Sequence, residues 1–250
     1  MNVKKKVIAV TGATGGLGLG IVRLLAKEGA IVWLLSRNGE KCRELASELN
    51  AAGYECRGMG LDVTDEAGWE AALAAILKQD KRLDVLFNNA GINIRRPIEE
   101  MEKSEWMTMM EVNVCSVFLG CKHTIPIMRG QGGGAIVNMS SVCGLIGHRY
   151  TPEAYTATKG AVTMLTRSIA ARYGKDGIRC NSIHPSTVDT PLVAKMMQDP
   201  ARRQERYDEV PLGRLGSVDD VAYAALYLAS EEASFLNGIN LPVDGGVTCY

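Results

Sequence analysis

The chain has 250 residues, of which 46% are hydrophobic and 22% are charged, and these proportions are typical of one globular α/β domain. Its 28 Lys and Arg residues balance its 28 Asp and Glu residues, which argues against nucleic acid or an anionic membrane surface as a partner. No apolar stretch approaches the ~20 residues that a membrane helix needs, and the basic start runs directly into a strand-like segment, so neither a membrane span nor a signal peptide is expected.

Short apolar runs that suit strands alternate with segments of helical periodicity along the whole chain. The predicted strands cover residues 7–10, 31–35, 56–61, 83–87, 135–139, 178–184 and 239–243. The predicted helices cover residues 17–28, 40–52, 67–79, 104 to about 129, 152–173 and 218–229. Because this alternation implies a parallel sheet with right-handed crossovers, and no linker interrupts it, we predict one α/β domain over residues 1–250.

Two segments depart from this rhythm. The long helix over 104 to about 129 carries an apolar stripe with two methionines, which is typical of a core or a subunit interface. Residues 187–213 contain three prolines and many charges, and we predict that they form a lid over the substrate. Within the single domain, we expect about residues 1–135 to bind the dinucleotide and about residues 136–250 to supply catalysis and substrate binding.

The seven cysteines stand at positions 42, 56, 115, 121, 143, 180 and 249. No pair is spaced as Cys-x-x-Cys, and no histidine lies at zinc-ligand spacing. We therefore expect reduced thiols in a cytoplasmic chain, and no metal site.

Residues 11–18, with the sequence TGATGGLG, lie between the first predicted strand and the first predicted helix. A diphosphate at this helix N-terminus meets free N–H groups and the positive end of the helix dipole, and glycines let the backbone approach it. The position predicts a dinucleotide site, the alternative being a tight turn without a ligand. The candidate contacts are Gly12, Thr14, Gly16, Leu17 and Gly18.

The end of the second predicted strand decides which dinucleotide is favoured. An acidic residue there would bind the ribose 2′-hydroxyl, but this chain has Ser36 and Arg37. Arg37 can pair with a 2′-phosphate and stack on adenine, which favours NADP(H). If Arg37 is only a surface charge, NAD(H) stays open, and Thr14 stands where a second basic residue would strengthen the preference.

Tyr155 and Lys159 are spaced i, i+4 in one predicted helix and therefore share a face. Ser140 and Ser141 follow the fifth predicted strand, at the sheet edge where open α/β proteins bind ligands. An ammonium beside the phenol favours the phenolate, so Tyr155 can exchange a proton with a substrate hydroxyl while a serine holds the same oxygen. On spacing alone, the Tyr/Lys pair is equally compatible with an exposed helix face.

Together these stretches make the chain resemble the short-chain dehydrogenase/reductase family over essentially its full length. The matching segments are TGATGGLG at 11–18, LDV at 61–63, NNAG at 88–91, the Asn of EVNV at 113, IVNMSS at 136–141, YTATK at 155–159 and VDGG at 243–246. The resemblance implies a single-domain Rossmann fold, with a doubly wound, seven-stranded parallel sheet and helices on both faces. It also implies a homo-oligomer, either a tetramer or a dimer.

The resemblance further implies roles for individual residues. Ser141, Tyr155 and Lys159 would be catalytic, and Asn113 would kink the long helix and hold a water that relays protons to Lys159. Further cofactor contacts would be Asp62, Val63, Asn89, Ala90, Gly91, Tyr155, Lys159, Pro185, Val188 and Thr190. The family's usual Pro-Gly is Pro-Ser here at 185–186, and the fourteen-residue step from Ser141 to Tyr155 is one longer than is common, so Ser140 stays an alternative.

We expect the substrate to be a bulky, mostly apolar secondary alcohol or ketone, such as a cyclic alcohol or a hydroxysteroid. The candidate substrate contacts are Ser141, His148, Tyr150, Val193 and Met197, with Met196 in the same apolar lining. The sequence shows no cluster of basic residues for a carboxylate or phosphate, with Arg149 as the one exception. Two alternatives stay open: an acyl-carrier-protein-linked ketoreductase, for which Arg95 and Arg96 would supply a basic patch, and a non-catalytic nucleotide-binding regulator.

Overall fold

The computed structural model describes residues 1–190, 193–194 and 197–250. Its strands are β1 Val7–Thr11, β2 Ile31–Ser36, β3 Glu55–Gly60, β4 Val85–Asn88, β5 Gly134–Met139, β6 Ile178–Pro185 and β7 Asn240–Val243. Its α-helices are α1 Gly16–Lys27, α2 Gly39–Ala51, α3 Glu66–Asp80, α4 Lys103–Met110, α5 Ser116–Gly130, α6 Glu153–Tyr173, α7 Pro200–Asp208 and α8 Val218–Ala229. Across the described residues, no helix is both long and apolar enough to cross a membrane.

The strands form one parallel sheet in the order β3-β2-β1-β4-β5-β6-β7. The order reverses direction between β1 and β4, so the loops that follow these two strands diverge and leave a crevice at the carboxyl edge of the sheet. The predicted single-domain, seven-stranded Rossmann fold is confirmed.

Successive residues of a strand point to opposite faces of the sheet, and β1 shows how both faces are buried. Ile8 and Val10 pack into the apolar layer beneath α1, α2 and α8, whereas Val7 and Ala9 pack into the layer beneath α3, α5 and α6. This explains why the strands are continuous apolar runs in the sequence.

The long helix predicted over 104 to about 129 is interrupted. A single π-helical turn, Glu111–Cys115, separates α4 from α5, as the expected kink at Asn113 requires. The apolar stripe also divides, since Val117 and Cys121 are buried in the core while Met107 and Phe118 are about half exposed, at 47% and 49%.

The sequence predicted an irregular segment over 187–213, but the structure contains a helix there, α7. The Asp199 carboxylate caps this helix by accepting from the backbone N–H of Ala201 over 3.0 Å, and Pro200 occupies its first turn. The sequence hides this helix because its one buried side chain, Arg206, is charged, so no apolar periodicity marks it. Pro191, one of the prolines that suggested a lid, and Met196 lie outside the described residues.

Close packing of α2 against β3 depends on Gly58. A Cβ atom at Gly58 would lie 2.2 Å from the carbonyl carbon and oxygen of Cys42, and backbone cannot yield as a flexible side chain does. We expect Gly58→Ala to lower the free energy of unfolding by roughly 1–3 kcal/mol through overpacking, measured by urea denaturation. Gly130→Ala is the matched control, since nothing lies within 4 Å of the corresponding Cβ. Equal stability of the two variants would contradict this account of the packing.

Candidate active site

The glycine loop between β1 and α1 has the backbone that a phosphate site requires. Gly12 and Gly16 have φ angles of +64° and +51°, a region that L side chains rarely adopt. A Cβ at Gly18 would lie 2.2 Å from the carbonyl oxygen of Gly12, so glycine there lets α1 begin directly against the loop.

The N-terminus of α1 is open. Its N-cap residue, Gly15, makes no side-chain capping bond, and its first turn contains no acidic residue. Space is empty where Cβ atoms of Gly15 and Gly16 would stand, while Thr14 and Leu17 are partly exposed beside them. The free N–H groups and the helix dipole therefore face a cradle that fits the diphosphate of a dinucleotide cofactor.

A hydroxyl at the end of β1 joins this loop to the loop after β4. The Thr11 hydroxyl accepts from the backbone N–H groups of Asn89 and Ala90, over 2.9 and 3.0 Å. In return the Asn89 amide donates to the carbonyl oxygen of Thr11 over 2.9 Å. Thr11 was not among the predicted site residues, although it opens the TGATGGLG motif.

The predicted adenosine-side residues lie on neighbouring loops. Arg37 is exposed just after β2, and its charge helps to lower the pKa of Asp62, after the larger effect of hydrogen bonds from Thr64. The Val63 side chain is 7% exposed and packs in the core with Trp69, so it anchors this loop.

Asn113 ties three segments together from the π-helical turn. Its amide oxygen accepts from the N–H of Ile92 over 2.8 Å, and its amide nitrogen donates to the Ile92 carbonyl over 2.9 Å and to the Thr158 hydroxyl over 3.2 Å. Gly91 lies close against these groups, since a Cβ there would be 3.2 Å from Asn113 Oδ1, a tight contact, and 3.6 Å from Lys159 Nζ, an ordinary one. Both amide protons of Asn113 are thus used in holding the loop after β4 against α6.

Lys159 is buried, and its Nζ donates to the carbonyl of Met139 at the end of β5 over 2.8 Å. The same Nζ lies 5.5 Å from the centre of the Tyr155 ring, so the predicted shared face of α6 exists. Burial lowers the pKa of Lys159 to about 8, because desolvation disfavours the ammonium form.

The pKa of Tyr155 differs from the sequence-based expectation. We expected the ammonium of Lys159 to lower it, but burial of the phenol dominates and raises the pKa of Tyr155 above its ordinary value. The hydroxyl of Ser141 and the charge of Arg95 partly offset this rise. The neighbouring thiol of Cys143, which sequence reasoning did not select, raises it further.

The geometry separates the two serines. Ser140 Oγ donates to the carbonyl of Lys159 over 3.0 Å and lies 3.1 Å from the Thr163 hydroxyl, so it fastens β5 to α6. Ser141 Oγ accepts from the N–H of Cys143 over 3.2 Å. Of the two serines, Ser141 is the one whose hydroxyl lowers the pKa of Tyr155. The longer loop before Tyr155 therefore leaves Ser141, and not Ser140, beside the phenol.

His184 supports this corner of the site from beneath. Its Nδ1 donates to the carbonyl of Ser141 over 2.8 Å, which leaves Nε2 to accept from Ser182 Oγ at the same distance. Burial lowers the pKa of His184 to about 4, so the ring is neutral at pH 7. His184 therefore has a structural role.

The strand-end residues on the nicotinamide side are also in place. Pro185 ends β6, and the hydroxyl of Ser186 donates to the carbonyl of Asp244 over 3.2 Å, which ties the Pro-Ser variant to the VDGG turn. Val188 is buried and forms an isolated parallel bridge with Gly216. Thr190 Oγ1 accepts from the N–H of Val193 over 3.4 Å.

Two of the five predicted substrate residues line a pocket, and each lines a different one. Tyr150 lines a pocket of about 380 Å³, whereas Met197 lines a different one with Pro200 and Tyr207. His148 Nε2 lies 3.4 Å from Glu209 Oε1, and its ring packs edge-on against Tyr150.

The sequence showed no cluster of basic residues apart from Arg149, but the structure brings such a cluster together. Five arginines line the Tyr150 pocket: Arg95, Arg96, Arg149, Arg202 and Arg206. They come from the loop after β4, the loop before α6 and from α7, so their separation in the chain concealed the cluster.

Comparisons with known proteins agree with this fold. Residues 12–248 match a family model described as enoyl-(acyl carrier protein) reductase. The chain is 40% identical to a cyclopentanol dehydrogenase of Comamonas sp. over 99% of this chain and 98% of that one. It is 37% identical to a trans-4-hydroxycyclohexanecarboxylate dehydrogenase of Sinomonas cyclohexanicum over 99% and 94% of the two chains.

A solved structure described as a putative NAD(P)-dependent gluconate 5-dehydrogenase from Beutenbergia cavernae, with bound NADP, superposes with a TM-score of 0.93. It is 31% identical in sequence, and the match covers 100% of this chain and 99% of that one. With the glycine loop, the Tyr155–Lys159 face and these full-length matches together, the chain belongs to the short-chain dehydrogenase/reductase family of NAD(P)-dependent oxidoreductases.

Proposed function

We propose that this protein is an NADP(H)-dependent dehydrogenase that interconverts a secondary alcohol and a ketone on a cyclic substrate, with Tyr155 as the acid/base. One observation carries the proposal: Tyr155, Lys159 and Ser141 meet at the carboxyl edge of the sheet, beside the open N-terminus of α1. Relatives named for cyclopentanol and for a hydroxycyclohexanecarboxylate favour a cyclic alcohol over a hydroxysteroid or an acyl-carrier-protein thioester.

The cofactor, when bound, accepts or supplies the hydride. For alcohol oxidation, the Tyr155 phenolate takes the hydroxyl proton of the substrate, and Ser141 Oγ holds the same oxygen. Burial raises the pKa of the phenol, and in this proposal the Lys159 ammonium, 5.5 Å from the centre of the Tyr155 ring, offsets part of that rise by favouring the phenolate. Asn113 acts as a positioning residue, because its amide fixes the loop after β4 and the backbone of α6 around Lys159.

A non-catalytic regulator is disfavoured by the presence of Tyr155, Lys159 and Ser141 together, because a nucleotide-binding fold alone does not need them.

We also propose a cytoplasmic homo-oligomer, either a tetramer or a dimer. The half-exposed Met107 and Phe118 on α4 and α5 and Met164 on α6, which is 59% exposed, support such an assembly because large apolar side chains gain by being covered.

Replacing the phenol hydroxyl tests the acid/base role. We expect Tyr155→Phe to lower kcat for cyclopentanol oxidation by about 10²–10⁴-fold, because a positioned acid/base contributes about that much. Steady-state kinetics with saturating cofactor measure it, and circular dichroism checks the fold. Tyr54→Phe, at a partly buried tyrosine in the layer under α2, is the control. Unchanged kcat in Tyr155→Phe would exclude the mechanism.

The two serines give a second, matched test. We expect Ser141→Ala to lower kcat by about 10–10³-fold while leaving the melting temperature near that of the wild type, since loss of one oxyanion-type donor costs up to this much. Ser140→Ala is expected mainly to lower stability, by about 1 kcal/mol, because its hydroxyl bridges β5 and α6. The opposite pattern in kcat and melting temperature would reverse the assignment.

Cofactor choice is tested at Arg37. We expect the wild type to have a higher kcat/KM for NADP⁺ than for NAD⁺, and Arg37→Ala to lower this ratio by about 10–100-fold, because a charge-assisted bond to the 2′-phosphate is lost. Arg23→Ala, at an exposed arginine on α1, is the control and should keep the ratio. A wild-type preference for NAD⁺ that Arg37→Ala leaves unchanged would overturn the NADP(H) assignment.

A further inference from the structure

The pocket that Tyr150 lines is built largely of guanidinium groups. Arg95 and Arg96 enter it from the loop after β4, Arg149 from the loop before α6, and Arg202 and Arg206 from α7. Two glutamates, Glu153 and Glu205, also line it, but among the described residues neither comes within 4.0 Å of a guanidinium nitrogen.

Three of the five arginines already have carboxylate partners. Arg96 pairs with Glu105 over 2.8 Å and Arg202 with Asp199 over 3.6 Å. Arg206 pairs with Glu209 over 3.0 Å and is held firmly, because it is buried and also donates to the carbonyl of Tyr150 over 3.0 Å. The guanidinium groups of these three residues are therefore already engaged by carboxylates, and Arg206 is also buried.

Arg95 and Arg149 are different. In the part of the chain that the structure describes, neither has a carboxylate oxygen within 4.0 Å or a side-chain hydrogen bond. Arg149 lies over the Tyr150 ring, with 4.6 Å between its guanidinium carbon and the ring centre, so this group is preorganised. Two guanidiniums without carboxylates, facing one cavity of about 380 Å³, leave fork-shaped donors for an oxyanion.

The position of Arg95 links this cavity to the reacting hydroxyl. Pro152 and Glu153 line the cavity and stand three and two residues before Tyr155, at the start of α6. Arg95 also interacts electrostatically with Tyr155, and partial desolvation together with the charges of Arg206 and Arg202 lowers the pKa of Arg95. An anion in the cavity would relieve the repulsion among these arginines. The cavity therefore adjoins the start of the helix that carries the proposed acid/base.

We propose that Arg95 and Arg149 bind an anionic group, most simply a carboxylate, on the same substrate whose hydroxyl meets Tyr155. The substrate class is then a cyclic hydroxy acid rather than an uncharged alcohol. This inference rests on the proposed dehydrogenase function, and it replaces a mostly apolar substrate by one with a ring and a charged end. The cavity volume of about 380 Å³ favours a small carboxylate over a carrier protein.

The kinetic test compares trans-4-hydroxycyclohexanecarboxylate, its carboxamide and cyclohexanol at one pH. For the wild type we expect kcat/KM to be at least tenfold higher for the carboxylate than for the carboxamide. Arg95→Gln and Arg149→Gln should each lower the carboxylate-to-carboxamide ratio by about 10–100-fold, because a bond to a charged group is lost. The control is Arg129→Gln, which should keep the wild-type ratio. Arg129 lies on α5 and pairs with Asp176.

A binding measurement separates this inference from the proposed function. Calorimetry of the full chain with cyclohexanecarboxylate and with cyclohexanecarboxamide should detect binding of the anion alone, weakened tenfold or more in Arg95→Gln. Anion binding without turnover of any alcohol would support the proposed anion site and refute the proposed dehydrogenase function. Two results would refute the proposed anion site and leave the dehydrogenase function standing. One is turnover of cyclopentanol with no higher kcat/KM for the carboxylate than for the carboxamide. The other is a carboxylate-to-carboxamide ratio that is unchanged in both arginine variants. A preference for an acyl-carrier-protein thioester over the carboxylate would also overturn it.

Discussion

The ammonium of Lys159 is buried at the carboxyl edge of the sheet, and it donates to the carbonyl of Met139 over 2.8 Å. Burying a cation is costly unless it is well solvated by protein dipoles, so this contact restricts where α6 can lie against β5. Ser140 adds a second tie at the same junction by donating to the carbonyl of Lys159. The arrangement fixes Tyr155, four residues before Lys159, next to Ser141.

The rest of the site is assembled around that junction by the parallel sheet. Because the carboxyl ends of all strands meet at one edge, the glycine loop after β1 and the loop after β4 lie side by side, and Thr11 bonds them together. The π-helical turn at Asn113 then clamps the β4 loop onto α6 through Ile92 and Thr158. The proposed cofactor cradle and the proposed proton-transfer residues thus share one frame, which would limit the freedom of the reacting groups.

The sequence predicted those features that depend on residues close together in the chain. Short-range periodicity and backbone sterics predicted the seven strands and the helices, except for α7 and the π-helical break between α4 and α5. They also predicted the glycine loop at 11–18 and the shared face of Tyr155 and Lys159. Properties that depend on tertiary distance escaped prediction. The pKa of Tyr155 follows burial rather than its charged neighbour, and the five arginines of one pocket lie on three separate segments, including a helix whose buried residue is Arg206.

The structure of the protein with NADP⁺ and trans-4-hydroxycyclohexanecarboxylate bound, determined by crystallography on the Tyr155→Phe variant to prevent turnover, tests the central claim most directly. The account predicts the substrate hydroxyl within hydrogen-bond reach of Ser141 Oγ, at about 2.6–3.2 Å, and next to the Phe ring that replaces the phenol. It predicts the carboxylate against the guanidiniums of Arg95 and Arg149. A hydroxyl far from Ser141 and from position 155, or a carboxylate directed to solvent with both arginines unengaged, would contradict it.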